Sequence, residues 1–253
     1  MSLNAKKVAG GNSDSKFKRA EPLEAGSYPA RVVQILDLGV QVQRPFKGEA
    51  KPPCQEINIT YELADEFMKD EEGNDIEDKP RWVSEMIPLF NLKAERAKST
   101  QRYKALDPND DFDGDFTQLV GLPCNVTIVQ SVSKTNGNTY NNVAGITSMR
   151  EKDAKRMPEL VNPSKVFVLD DPDMEVFSSL PQFIQDKITS NLNFQGSKLQ
   201  ALLANSDAGS TDKEEAEEEA PKKSPAKKAA PKLAEKSEAP AWEDSDEDDS
   251  SPY

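Results

Sequence analysis

The chain has 253 residues, enough for one ordinary domain with extensions or for two small domains. Its 32 Lys and Arg stand against 45 Asp and Glu, a net charge of −13, and it contains no His. Without His, the Ser-His-Asp and Cys-His forms of nucleophilic catalysis are excluded within one chain, and a His-containing zinc site is excluded as well.

The charge is unevenly spread. Residues 1–20 carry five bases and one acid, whereas residues 201–253 carry fifteen acids and seven bases. Acidity in the middle of the chain counts against nucleic-acid binding, which draws most of its affinity from phosphate contacts, unless the bases cluster. The two cysteines, Cys54 and Cys124, have no CxxC spacing and read as reduced, buried thiols. No apolar run is long enough to span a bilayer and no signal-peptide pattern opens the chain, so a soluble intracellular protein is expected.

Residues 1–22 read as a disordered basic arm. From Gly26 to Val42 the chain is rich in β-branched residues, with Gly39 as the expected bend or bulge. Residues 54–63 alternate Ile57, Ile59, Tyr61 and Leu63 against Glu56, Asn58, Thr60 and Glu62, a half-buried strand. A turn-rich stretch, 65–80, precedes a third strand at 81–90. Residues 92–106 have helix-forming composition and stop before Asp107-Pro108, with Leu92, Arg96, Ser99, Tyr103 and Leu106 on one face. One further helical turn is expected at 116–120. Strands at 124–132 and 140–149 form a hairpin around Asn136-Gly137.

The order strand, strand, strand, helix, strand, strand is that of the OB-fold, a five-stranded, partly open barrel. The expected fold is therefore mainly β: an OB-fold barrel over 23–150 with a helix between strands 3 and 4. A C-terminal helical appendage over 151–205 is expected to pack on it. The appendage contains a short helix at 151–157 and a better one at 180–192, whose face carries Phe183, Ile184, Lys187, Ile188 and Leu192. Residues 206–253 form a low-complexity tail of opposite charge blocks spaced by Pro and Ala.

The tail ends in an acidic run closed by Pro252-Tyr253. Such a tip cannot fold alone, and it suits a basic-rimmed apolar pocket on another protein. Trp242, Asp244, Asp246, Glu247, Asp248, Asp249, Pro252 and Tyr253 are its candidate partner-binding residues.

Residues 25–33 (AGSYPARVV), 60–63 (TYEL), 140–146 (YNNVAGI) and 172–177 (PDMEVF), together with the acidic tip, resemble phage single-stranded DNA-binding proteins. The resemblance spans 25–200. It implies an OB-fold with an acidic tail that works in phage DNA replication, recombination and repair in the cytoplasm of the bacterial host. The tail's implied partners are replication or recombination proteins such as a polymerase, helicase/primase, nuclease or recombinase. The bacterial tip usually ends in Pro-Phe after an unbroken acidic run, whereas here Ser250 and Ser251 intervene and Tyr253 replaces Phe.

Binding single strands without sequence preference needs a basic groove and aromatic faces. Over 79–104 seven bases (Lys79, Arg81, Lys93, Arg96, Lys98, Arg102, Lys104) face only Glu85 and Glu95, with Trp82 and Tyr103 among them. Arg44, Phe46, Lys47 and Lys51 lie in the loop between the first two strands, and Lys134 and Tyr140 flank the last hairpin. The OB-fold places Tyr61 and Trp82 between these loops. The expected DNA-binding set is therefore Arg44, Phe46, Lys47, Lys51, Tyr61, Arg81, Trp82, Lys93, Arg96, Lys98, Arg102, Tyr103, Lys134 and Tyr140. No catalytic residue, cofactor or specific metal is expected, since the acidic run 107–115 has Phe112 where a calcium loop needs Gly. Two other readings remain open: an OB-fold adaptor or acidic chaperone that binds no DNA, and a carboxylate-metal nuclease resting on 107–115 alone.

Overall fold

The computed structural model describes residues 20–135 and 137–208. Its elements in chain order are β1 (Gly26–Gln41), β2 (Cys54–Lys69), β3 (Asp75–Pro88), α1 (Lys98–Leu106), a 3-10 turn (Phe116–Leu119), β4 (Pro123–Val132), β5 (Thr139–Ser148), α2 (Glu151–Ala154), β6 (Lys165–Phe167), α3 (Met174–Ser178), α4 (Gln182–Thr189) and α5 (Lys198–Ala208). The strands form one sheet in the order β3-β2-β1-β4-β5, each neighbour antiparallel, and β6 adds a short parallel strand to β1.

β1 organises the sheet. One edge pairs with β2, while the other pairs first with β4 (Gly26↔Ile128 to Arg31↔Pro123) and then with β6 (Gln34↔Lys165 to Leu36↔Phe167). Register shifts at Val32/Gln34 and Asp37/Gly39 bend it against β2. Gly39 has φ +75°, and a Cβ there would lie 2.7 Å from the Asn191 side chain, so only glycine fits.

Both faces of β1 are buried, which explains its long apolar run. One face joins a core with Ile57, Ile59, Tyr61 and Leu63 of β2, Val83 and Ile87 of β3, and Val126 and Ile128 of β4. The opposite face supplies Leu36 and Leu38 to a second core with Phe167, Phe177, Leu180, Ile184, Ile188 and Leu199. Each such side chain contributes about 1.5–3 kcal/mol on full burial. The segment after β5 thus packs on the sheet through a core of its own.

The sheet stays open. β3 and β5 end its path and no ladder joins them among the described residues. Helix α1 sits against both. Arg102 pairs with Glu85 of β3 at 2.7 Å and donates to the Ala144 carbonyl of β5 at 3.4 Å.

Several expected boundaries shift. The 65–80 stretch is largely ladder, since β2 and β3 pair out to Lys69↔Asp75. The turn is confined to Asp70–Asn74, where the Asp70 carboxylate accepts from the Glu72 and Asn74 amides and Gly73 takes φ +91°. The helix expected from Leu92 starts at Lys98, because Asn91 folds the preceding residues into consecutive turns. Its side chain accepts from the Lys93 amide and its carbonyl from the Ala94 amide. α1 ends at Leu106, before Asp107-Pro108, as Pro108 disfavours helix at the residue before it. α2 and α4 are shorter than expected. Phe183 and Leu192 are exposed while Ile184 and Ile188 fill the second core. No described helix is long and apolar enough to cross a membrane.

Candidate nucleic-acid interface

The loop after β1 turns back on itself. Phe46 and Glu49 exchange backbone hydrogen bonds at 2.9 and 3.0 Å around Lys47 (φ +51°) and Gly48 (φ +79°), a two-residue turn with both central residues left-handed. This turn leaves the Phe46 ring 59 % exposed. The Lys51 and Lys47 ammonium groups stand 4.9 and 5.7 Å from its centroid, at cation–π distance. Arg44, Lys47 and Lys51 are exposed.

Strand register decides what shares this end of the molecule. Gln41 pairs with Cys54 and Glu56 with Pro88, so the 42–53 loop and the segment following β3 leave the same end of the sheet. That segment carries Lys93, Arg96 and Lys98, all exposed. The structure therefore gathers six of the expected bases and Phe46 at one end.

Lys134 and Tyr140 lie elsewhere. Gly26 pairs with Ile128, which puts the β4–β5 turn beyond the opposite end of β1. Both are exposed, but they are not brought to Phe46. The β2–β3 hairpin projects past this second end, and its residues 65–78 hold eight acids against Lys69 alone. The Tyr28 hydroxyl registers that field: burial raises its pKa, and Glu66, Glu24 and Asp65 raise it further. A phosphate backbone is repelled there.

Between the ends, the outer face of β3 shows Trp82, Ser84 and Met86, with Trp82 43 % and Met86 39 % exposed. The Trp82 indole donates to Glu62 at 3.1 Å. Glu62 is buried, and it also accepts from the Val161 amide and from the Asn162 amide and side chain, which ties the segment between α2 and β6 to the sheet. Met86 and Glu62 were not among the expected site residues. The period of two from Trp82 marks Met86, but nothing local marks Glu62. Arg81 is half-buried and donates to the Glu21 carbonyl.

Three expected contacts are corrected. Tyr61 and Tyr103 are fully buried and Arg102 is 2 % exposed, so none presents a face or charge to a ligand. Tyr61 belongs to the inward stripe of β2, where its hydroxyl donates to Glu85, and burial followed by the Glu85 charge raises its pKa well above the ordinary phenol. Tyr103 packs on Phe116 at 5.3 Å, donates to Asp107 and accepts from the Gly114 amide. Arg102 closes the α1–β3 contact: burial opposes its charge, but Glu85 more than restores it.

Asp107 leads the acidic run 107–115 and is engaged by the fold. Its carboxylate accepts from the Asp111 and Phe112 amides and from Tyr103. Burial raises its pKa, but these donors hold it below the usual carboxylate value. The tail residues Trp242, Asp244, Asp246, Glu247, Asp248, Asp249, Pro252 and Tyr253 lie outside the described residues. Comparison with protein-family models and with curated proteins finds no match.

Proposed function

We propose that the protein binds single-stranded DNA, largely without sequence preference, on an OB-fold-like sheet, and acts by coating and protecting the strand during phage replication or recombination. The observation that carries this reading is Phe46, exposed at the base of a tight turn with two ammonium groups beside its ring. An exposed aromatic flanked by cations offers a base a stacking face and its phosphates a charge, and stacking contributes about 1–3 kcal/mol per base. Lys93, Arg96 and Lys98 extend the basic end, and Trp82 with Met86 provides a further apolar strip on the outer face of β3. In this reading the Trp242–Tyr253 tip recruits replication or recombination enzymes.

The exposed acidic hairpin supports a second reading, an adaptor that binds basic partners and no DNA. Fluorescence anisotropy of labelled oligo-dT, at about 50 and about 300 mM salt beside a matched duplex, separates the two. Salt-sensitive binding that favours the single strand supports the first reading. Absence of binding at low salt, in the full chain and in a 1–205 truncation, discards it.

A further inference from the structure

A cleft of about 610 Å³ opens between the two hydrophobic cores, at the end of the sheet where β3 terminates. Leu89, Phe90, Leu92 and Phe167 form its apolar walls, and Phe90 is 47 % exposed. Asp37, Asp113 and Asp115 also line it, and among the described residues no Lys or Arg does. Among the described residues none of these three carboxylates forms an ion pair. Among the described residues Asp37 accepts from the Gly39 amide and Gln55, and Asp115 from the Thr117 amide and hydroxyl, none of them a cation. The cleft is walled by apolar side chains and the charged residues in its lining are all acidic, which suits an aromatic side chain flanked by cations.

The chain itself contains such a segment, Lys16-Phe17-Lys18-Arg19. Its other aromatic-bearing extension, Trp242 to Tyr253, is acidic, and the three carboxylates repel it. Reach decides between the same copy and another. The Glu21 carbonyl is held by Arg81 at 2.6 Å. From Arg81 to Leu89, eight residues of strand cover about 26 Å at roughly 3.3 Å per residue. The stretch from Trp82 to Pro88 pairs with β2 without a register shift. Leu23 is tied further back, its amide and carbonyl hydrogen-bonded to Asn141 and Gln130 beyond the Gly26↔Ile128 pair. Phe17, six residues from it, reaches at most about 22 Å, whereas the cleft's Ile35 lies nine strand residues, about 30 Å, past Gly26, a gap the ring does not close.

We infer that Phe17 of one copy, flanked by Lys16, Lys18 and Arg19, docks in the acidic-rimmed cleft of a second copy. The contact joins two different surfaces of the chain. Two copies that exchange arms reciprocally form a closed dimer, and copies that pass the arm head to tail form rings or open chains.

Sedimentation velocity of the full chain without DNA, across low to high micromolar concentration, tests this independently of any DNA-binding role. The expected result is mass that grows with concentration and shrinks with salt. Phe17→Ala is expected to weaken association roughly thirtyfold, the loss typical of truncating a buried anchor aromatic. Phe90→Ala is expected to act in the same direction. The reversals Asp113→Lys with Asp115→Lys, or Lys16→Glu with Lys18→Glu, are each expected to abolish association. The four together are expected to restore it, and that rescue separates docking from misfolding. A single monomeric species at every concentration overturns the inference. So does association that survives Phe17→Ala unchanged, or that is lost only when residues 209–253 are removed.

Discussion

Arg102 lies within the densest basic stretch of the chain, yet its structure predicts a stability defect rather than a binding defect when it is replaced. Its guanidinium meets both Glu85 oxygens, at 2.7 and 3.1 Å, with side-chain exposures of 3 % and 9 % for Arg and Glu. Arg102→Met removes the cation and leaves the Glu85 carboxylate, among the described residues, with the Tyr61 hydroxyl alone as donor. It also strips the Ala144 carbonyl of a donor, at the place where α1 spans β3 and β5. Breaking a buried pair from one side costs about 3–5 kcal/mol. For a folded region of this size, 1 kcal/mol moves Tm by about 2–4 °C, so Arg102→Met is expected to melt roughly 6–20 °C lower. Adding Glu85→Gln removes the orphaned charge and keeps an acceptor for Tyr61, and the pair is expected to recover at least half of the loss. Circular dichroism melts measure this, with oligo-dT anisotropy taken well below Tm. A variant that melts within about 2 °C of the parent and binds more than about tenfold more weakly refutes the structural role and restores Arg102 as a DNA contact.

Phe46→Ala is expected to show the converse, a loss of about 1–3 kcal/mol in oligo-dT affinity with an unchanged melting curve, since the ring is exposed. Equal affinity counts against the stacking role. Gly39→Ala forces a side chain into φ +75° and to within 2.9 Å of both Asn191 and Leu169. It is expected to destabilise by at least about 1–3 kcal/mol in urea denaturation, and a neutral result removes the argument for the bulge. Burial pushes the Cys124 thiol and the Tyr103 hydroxyl up to about 12, from ordinary values of 9.0 and 10.0. Both folded values exceed the unfolded ones, so the stabilisation is complete below pH 9 and drains away as pH rises from 9 to 12. Urea midpoints that stay level across that window contradict it.

Much of the topology is legible in the sequence because apolar and polar residues alternate in β2, and because Gly39 and Gly137, both at positive φ, mark where the chain bends. The β2–β3 extension was hidden by composition. Residues 65–78 are so acidic that they read as turn, whereas the ladder needs only their backbones and one tight turn at Asp70–Asn74. β6 is three residues long and paired to the second half of β1, too short to leave a period. The second core was legible only in part. Ile184 and Ile188 fell on the expected face, but Phe183 is exposed because α4 buries a narrower stripe than the helical wheel of 180–192 suggests.

For the candidate site, counting charge did less than placing it. Tyr61 occupies the same stripe as Ile57, Ile59 and Leu63, so the alternation that identifies the strand also sends Tyr61 inward, while Trp82, paired across from Glu62, points out. The same reasoning sorts the basic stretch. Arg102 shares the buried face of α1 with Ser99, Tyr103 and Leu106, and Glu85 lies between Val83 and Ile87 on the inner side of β3. A charge of each sign on two apolar stripes that must face each other is the sequence signature of an internal pair. Once that pair is set aside, the exposed bases after β3 include Lys93, Arg96 and Lys98; Arg96 leaves the face expected for it because the helix starts only at Lys98. Strand register carries those three to the end of the sheet where Phe46 stands exposed.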